Sequence, residues 1–217
     1  GDIRAESPDV VVIATGGLPK TDFLAAGEDL VETTWDVLGG HFTATGPVLV
    51  YDDNGQHPGA TCAEYLATNG ATVEIVTPER QICQMIGGTN YPAYLKAFHE
   101  NGVTITPDYW LDRVERGGDG RLAARLVNNY THAAVTRTVD HVVVENGTLP
   151  LDEVYEALKP DSTNAGEVDL DAMRAGRAEA IDRNPDGRYR LFRVGDAVSS
   201  RNVHAAMLDA VRLCKDF

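Results

Sequence analysis

The residues of this chain that could hold a phosphate group lie in a turn between an apolar strand and a helix. The segment 46–78 reads GPVLVYDDNGQHPGATCAEYLATNGATVEIVTP, with an apolar run at 47–51 followed by a turn of Asp, Asn, Gly and Pro. Apolar residues then recur at helical spacing from 59 to 69, and a second apolar run stands at 73–76. This order predicts a βαβ unit with a right-handed crossover.

The turn keeps one of the three glycines of the G-x-G-x-x-G sequence that binds dinucleotides. Gly59 stands at the third position, whereas Gln56 and Asn54 stand at the second and the first, with Gly55 between them. The second glycine normally lets the backbone approach a diphosphate, so Gln56 would place a side chain there. A register change of one residue would bring Gly55 into use instead. Thr77 stands near the place of the acidic residue that binds a ribose.

Two acidic residues at the strand end, Asp52 and Asp53, bear on whether this turn holds an anion. The N-terminus of the following helix presents unpaired N–H groups and a partial positive charge, which favour a phosphate. Carboxylates that point into the turn would oppose the phosphate, and carboxylates that point away would leave room for it. The sequence leaves both arrangements open. In either case, Gln56 and Thr77 predict weak or undetectable NADH binding.

The composition limits the kinds of partner that the chain can have. Its 217 residues allow one large or two small domains, and its net charge of −14 argues against nucleic acid. No apolar run approaches the ~20 residues of a membrane span, so a cytoplasmic protein without a membrane partner is predicted. The cysteines, Cys62, Cys83 and Cys214, are isolated, so no metal site is predicted within the chain.

Two other strand ends carry glycine-containing turns. The run 10–14 is followed by Thr-Gly-Gly, and the run 189–194 is followed by Gly-Asp-Ala and a helical pattern over 202–214. A shorter helix, capped by Thr33 or Thr34, is predicted before the βαβ unit.

The region after the βαβ unit predicts a helix, a strand, a three-strand meander and a closing parallel strand. These elements are predicted at 91–101, 103–106, 109–115, 122–128, 134–139 and 141–145.

Taken in chain order, six segments resemble one family. They are ATGG at 14–17, DDNGQHPG at 52–59, AEYLA at 63–67, GATVEIVTP at 70–78, NGTLPLDEVYEAL at 146–158 and GDA at 195–197. They are similar to the C-terminal nucleotide-binding region of the long old-yellow-enzyme (NADH:flavin oxidoreductase) family. The similarity is greater to trimethylamine, dimethylamine and histamine dehydrogenases and N-methyl amino acid demethylases than to 2,4-dienoyl-CoA reductases.

The resemblance implies an α/β fold of Rossmann-like FAD- and NAD(P)-binding type, with a parallel sheet, helices and a β-meander. Residues 1–44 and 150–217 would form part of an FAD- or ADP-binding domain whose first half is absent. Residues 45–149 would form an NAD(P)-binding-type domain inserted in it.

The family's cofactor residues carry over by position. Thr15, Gly16, Gly17 and Asp196 would line the FAD or ADP site. The turn residues Asn54, Gly55, Gln56 and Gly59 would face a nucleotide such as NAD(P). FMN and a 4Fe–4S cluster are expected in an N-terminal TIM barrel outside this chain. No catalytic residue is predicted within the chain, and the chain alone is expected to be inactive.

Three function hypotheses stay open. The first is the nucleotide-fold region of a flavin-dependent amine dehydrogenase or demethylase. The second is an NAD(P)H-oxidising module of an enzyme such as a 2,4-dienoyl-CoA reductase. The third is a non-catalytic domain for assembly or for docking an electron partner. The implied partners are the protein's own TIM barrel, an electron-transfer flavoprotein and a second copy of the chain.

Overall fold

The computed structural model describes residues 2–177 and 181–214, and it divides into two compact units. Unit 1 comprises residues 1–18 and 148–217, and unit 2 comprises residues 19–147. Their assignment to FAD-type and NAD(P)-type domains stays a prediction.

The helices and strands follow the predicted order closely. The strands are β1 (Val10–Ile13), β2 (Gly17–Pro19), β3 (Glu32–Thr33), β4 (Gly46–Asp52), β5 (Ala71–Val76), β6 (Thr104–Thr106), β7 (Tyr109–Arg116), β8 (Leu122–Asn128), β9 (Ala134–Val139), β10 (His141–Glu145), β11 (Thr148–Pro150) and β12 (Arg190–Arg193). The helices are α1 (Asp2–Ala5), α2 (Thr34–Leu38), α3 (His57–Thr68), α4 (Tyr91–Glu100), α5 (Glu153–Leu158), α6 (Leu170–Ala175) and α7 (Val203–Cys214), with short 3-10 turns at Glu28–Leu30, Lys159–Asp161 and Gly195–Ala197.

Unit 2 is built on a parallel sheet with the strand order β3-β10-β4-β5-β6. The predicted closing strand β10 is confirmed, and it lies beside β4 in the centre of the sheet. The edge strand β3 was not predicted, because two residues carry no periodicity. Central strands of a parallel sheet are covered on both faces, which explains the unbroken apolar runs of β4 and β10.

The two faces of this sheet are covered by different elements. On one face, Leu66 of α3 and Phe98 of α4 belong to a buried cluster with Val50 of β4. On the other face, Leu49 of β4 clusters with Leu111 and other residues of the antiparallel meander β7-β8-β9. The predicted meander is therefore confirmed, and with α3 it holds β4 in place.

Unit 1 contains the parallel pair β1 and β12, whose register aligns Val11 with Leu191. Both residues lie in a buried cluster with Tyr155 of α5. β2 pairs with β11, a contact that the sequence did not predict. The segment 169–181 is polar and short of large apolar residues, which predicts a position on the surface. Residues 178–180 of this segment lie outside the described residues, and α6 buries Ala172. In the part of the chain that the structure describes, no helix has the length and apolar character of a membrane span.

α2 begins with a capping box, which confirms Thr33 as one of the two predicted caps. The Thr33 hydroxyl accepts a hydrogen bond from the Asp36 backbone N–H at 3.3 Å, and the Asp36 carboxylate accepts one from the Thr33 backbone N–H at 2.8 Å. The Asp36 carboxylate also accepts a hydrogen bond from the Thr33 hydroxyl at 2.7 Å, and this bond, together with that from the Thr33 backbone N–H, holds the pKa of Asp36 below its ordinary value.

We predict that Thr33→Ala lowers the free energy of unfolding by about 1 kcal/mol, because the first turn of α2 loses its cap. Urea unfolding of the parent and the variant measures this difference. Thr45→Ala, at an exposed position just before β4, is the control. A Thr33→Ala chain no less stable than the control would show that the cap contributes nothing.

Candidate functional site

The candidate nucleotide turn joins β4 to α3 at the carboxyl end of the central sheet of unit 2, where ligands of open α/β sheets bind. α3 begins at His57, two residues before its predicted start, with Pro58 in its first turn. Gly55 adopts a φ of +65°, which a glycine tolerates better than other residues. The turn thus has the position of a dinucleotide site.

The carboxylate of Asp52 points into this turn. Its Oδ1 atom accepts hydrogen bonds from the backbone N–H groups of Asn54 at 3.1 Å and Gly55 at 2.9 Å. The side chain is fully buried, and its Oδ2 atom has no hydrogen-bond partner among the described residues. Asp53, in contrast, is exposed. Of the two arrangements that the sequence left open, Asp52 therefore adopts the one that opposes a phosphate.

Glu145 of β10 lies directly opposite Asp52 in the register of the sheet and is also buried. Its Oε1 atom accepts hydrogen bonds from the Asn54 side-chain amide at 2.9 Å and the Gly147 backbone N–H at 3.1 Å. Its Oε2 atom accepts a hydrogen bond from the hydroxyl of Thr34, at the start of α2. Two neighbouring strand ends thus each place a carboxylate at the turn. Glu145 is not predicted as a site residue from the sequence, and Thr34 is predicted only as a candidate helix cap.

The pKa of Asp52 is raised to about 7, mainly by burial and in part by the nearby carboxylates of Glu145 and Asp53, against two backbone N–H donors that lower it. Burial also raises the pKa of the Cys62 thiol to about 12. The electrostatic potential around the turn is therefore negative, and keeping the Asp52 carboxylate charged there costs free energy. The structure describes no cluster of three or more metal-ligating side chains within residues 2–177 and 181–214.

The third glycine of the turn is needed because of Asp52. A Cβ atom built on Gly59 would lie 2.5 Å from the Asp52 carboxyl carbon and 2.8 Å from its Oδ2 atom. The third glycine of such a turn normally allows close packing of helix on strand, and in this structure the close neighbour is the side chain of Asp52 at the strand end. The buried Oδ2 atom therefore lies beneath the first turn of α3.

The remaining predicted turn residues bond to one another or to nearby backbone. The Gln56 side-chain amide donates to the Asn54 side-chain oxygen at 3.2 Å. The hydroxyl of Thr77 is buried and accepts a hydrogen bond from the Glu79 backbone N–H at 3.3 Å. The turn in this arrangement does not fit the diphosphate of a dinucleotide, since two of its N–H groups are already bonded and a buried carboxylate lies beside them. The cofactor role of Asn54, Gly55, Gln56 and Gly59 stays a prediction.

In unit 1, three of the predicted site residues contact the segment 148–151. The Thr15 hydroxyl donates to the Leu151 carbonyl at 2.5 Å, and a Cβ on Gly17 would lie 2.8 Å from the Thr148 Cβ. The Thr148 hydroxyl in turn donates to Asp196 Oδ2 at 3.2 Å.

Gly16, with a φ of +74°, has open space where a Cβ would stand. This opening is compatible with a nucleotide beside Thr15, Gly17 and Asp196. The binding role of all four residues stays a prediction.

A second aspartate, which is not predicted as a site residue from the sequence, holds the Gly-Asp-Ala turn in place. Asp209 of α7 accepts a hydrogen bond from the Gly195 backbone N–H at 3.1 Å and pairs with Arg201. The Arg201 backbone N–H donates to Asp196 Oδ1 at 3.3 Å. Asp196 is therefore held by contacts from both sides.

A pocket of about 610 Å³ lies between α2 and the start of α3 in unit 2. Its lining includes the half-exposed ring of Trp35, together with Leu38, His41 and Pro58. This surface is suited to apolar contacts.

Solved structures place the fold in a class. The chain is similar to 6-hydroxypseudooxynicotine amine oxidase from Pseudomonas geniculata N1, with a TM-score of 0.73, 21% identity and coverage of 96% of this chain and 29% of that one. It is similar to histamine dehydrogenase from Rhizobium sp. 4-9, with a TM-score of 0.73, 20% identity and coverage of 97% of this chain and 31% of that one. The fold is the α/β fold of FAD- and NAD(P)-binding flavoenzymes.

Sequence relatives give the family. The chain is 47% identical over 214 residues to the probable N-methylproline demethylase of Rhizobium meliloti (strain 1021), covering 99% of this chain and 31% of the relative. It is 44% identical over 221 residues to the N,N-dimethylglycine/sarcosine dehydrogenase of Chromohalobacter salexigens, covering 97% of this chain and 32% of the relative. No protein-family model matches the sequence.

The chain thus spans about a third of the length of these relatives, and it corresponds to a C-terminal part of enzymes of the old-yellow-enzyme family that resemble trimethylamine, dimethylglycine and histamine dehydrogenases.

We predict that Gly59→Val lowers the free energy of unfolding by about 1–3 kcal/mol, because its side chain must displace the Asp52 carboxylate or α3. Chemical denaturation of the two chains checks this. Gly88→Val is the matched control, since a Cβ there meets nothing within 4 Å. If Gly59→Val were as stable as the parent, the carboxylate could not lie beneath the helix.

The raised pKa of Asp52 predicts a pH-dependent stability difference between the parent and Asp52→Asn. A carboxyl whose folded pKa of about 7 exceeds its unfolded value stabilises the fold fully below the unfolded value, near 4, and loses this contribution as pH rises through 7. The parent should therefore lose stability relative to Asp52→Asn between about pH 4 and pH 7. Denaturant unfolding at several pH values measures the difference, and a difference independent of pH would contradict the assignment.

Proposed function

We propose that this chain is the C-terminal nucleotide-fold region of a flavin-dependent amine dehydrogenase or demethylase. The observation that carries the proposal is the 47% identity, over 99% of the chain, to a probable N-methylproline demethylase. In this proposal, FMN and an iron–sulfur cluster belong to a barrel outside the 217 residues, and the amine reacts there. The protein's own barrel is then the first partner of this chain.

In the proposed enzyme, unit 1 supplies one side of an FAD or ADP site. Gly16 leaves space for the nucleotide, and Asp196, held by Thr148 and Arg201, offers its carboxylate. A bound FAD would supply electron transfer, whereas a bound ADP would add only structure. Thr15 and Gly17 fix the strand end on which the nucleotide would rest.

The alternative is an NAD(P)H-oxidising module like that of a 2,4-dienoyl-CoA reductase. That function requires the turn of unit 2 to receive a diphosphate. The bonds from Asn54 and Gly55 to Asp52 count against it. The same bonds favour a unit 2 that serves assembly or docking within the amine-oxidising enzyme.

The experiment uses the complete coding sequence that contains this chain. We expect N-methylproline, N,N-dimethylglycine or sarcosine to reduce the bound flavin of the purified enzyme, followed by its absorbance, whereas NADH reduces it slowly or not at all. The 217-residue chain alone, tested in parallel, should be inactive. Rapid flavin reduction by NADH, with no reduction by any of the three amines, would favour the reductase function instead.

A further inference from the structure

The hydrogen bonds of Asp52 have the pattern of a bound anion. Two successive backbone N–H groups of a strand-to-helix turn, those of Asn54 and Gly55, converge on one carboxylate oxygen. Convergent N–H groups of this kind form the concave anion sites of phosphate-binding turns. Here the anion belongs to the chain itself. It comes from the residue that ends β4, immediately before the turn.

The second carboxylate oxygen of Asp52, Oδ2, lies beneath the first turn of α3. Oδ2 lies 2.8 Å from the place where a Cβ of Gly59 would stand, and it is buried without a hydrogen-bond partner among the described residues. The carboxylate therefore fills the space between the end of β4 and the first turn of α3. In dinucleotide-binding turns the glycine at the position of Gly59 allows close packing of helix on strand, and the diphosphate lies beside it at the N-terminus of the helix.

An external phosphate competes poorly for these donors. The Asp52 carboxylate is attached two and three residues from the N–H groups that it accepts from, so its contact costs no association entropy, whereas a nucleotide must supply that entropy from its binding energy. The buried Glu145 carboxylate and the Asp53 carboxylate add repulsion against any further negative charge. Glu145 also holds the Asn54 side chain, which fixes the turn around Asp52.

We propose that Asp52 is a specificity-determining residue, whose carboxylate substitutes for a phosphate in the turn and excludes NAD(H), NADP(H) and other nucleotide diphosphates from unit 2. The inference concerns this turn alone and holds whichever substrate the full-length enzyme oxidises. It assigns the exclusion of nucleotide diphosphates to the Asp52 carboxylate, in addition to the absence of glycine at positions 54 and 56.

The test is a titration of the ¹⁵N-labelled 217-residue chain with ADP and with NADH, followed by the backbone amide signals of Asn54 and Gly55. In the parent these signals should not shift with millimolar ligand. Asp52→Ala frees both N–H groups, so the Gly55 signal should shift saturably, with affinity at least about tenfold above the parent. Adenosine, which lacks a diphosphate, should not shift it. The Gly16 amide reports separately on a nucleotide in unit 1.

Asp53→Asn is the matched control, because it removes the same charge from the neighbouring exposed residue and leaves the Asp52 hydrogen bonds in place. It should behave as the parent. Equal gains in Asp53→Asn and Asp52→Ala would show that net charge excludes the nucleotide, and would overturn the proposal.

Two other results would also overturn it. One is a folded Asp52→Ala chain whose Gly55 signal does not respond to ADP or NADH. The other is a saturable shift of the Gly55 signal in the parent at submillimolar ADP or NADH, which would show that the turn is open. This result does not depend on the folding of any variant. If Asp52→Ala does not fold, Asp52→Gly also removes the oxygen that accepts both hydrogen bonds, and the Gly55 signal must then respond more strongly than in the parent.

Discussion

The bond between the Asp52 carboxylate and two N–H groups of the following turn is the interaction on which the structure of unit 2 depends. It satisfies backbone donors of Asn54 and Gly55 that a dinucleotide would otherwise accept from. It requires Gly59, because a larger residue would collide with the carboxylate. It also places a carboxyl group in a buried position that raises its pKa to about 7. One contact thus links turn geometry, helix packing and electrostatics.

The parallel sheet is what brings the second carboxylate to the same place. β10 lies beside β4 with Glu145 aligned to Asp52, so both strands end at one edge. Thr34, at the start of α2, reaches the same carboxylate, and this ties the edge strand region to the turn. The edge of the sheet next to α3 thus carries two buried carboxylates, and one of them, that of Asp52, fills the turn between β4 and α3.

Much of the fold could be predicted from the sequence, because β4, α3 and β10 carry strong apolar patterns. The edge strand β3 and the pairing of β2 with β11 could not, since two- and three-residue strands have no period. The turn residues were recognised by their spacing, but the direction of the Asp52 side chain depends on burial between β4 and α3. The sequence does carry a signal for Glu145, since this acidic residue ends the apolar strand β10 just as Asp52 ends β4.

The central claim is that Asp52 itself occupies the anion position of the turn. The most direct measurement is the through-hydrogen-bond scalar coupling between the Gly55 amide nitrogen and the Asp52 carboxyl carbon in the ¹³C,¹⁵N-labelled chain. The account predicts a detectable coupling, since the N–H group donates to this carboxylate at 2.9 Å. An absent coupling, together with rapid hydrogen exchange at the Gly55 amide, would contradict it.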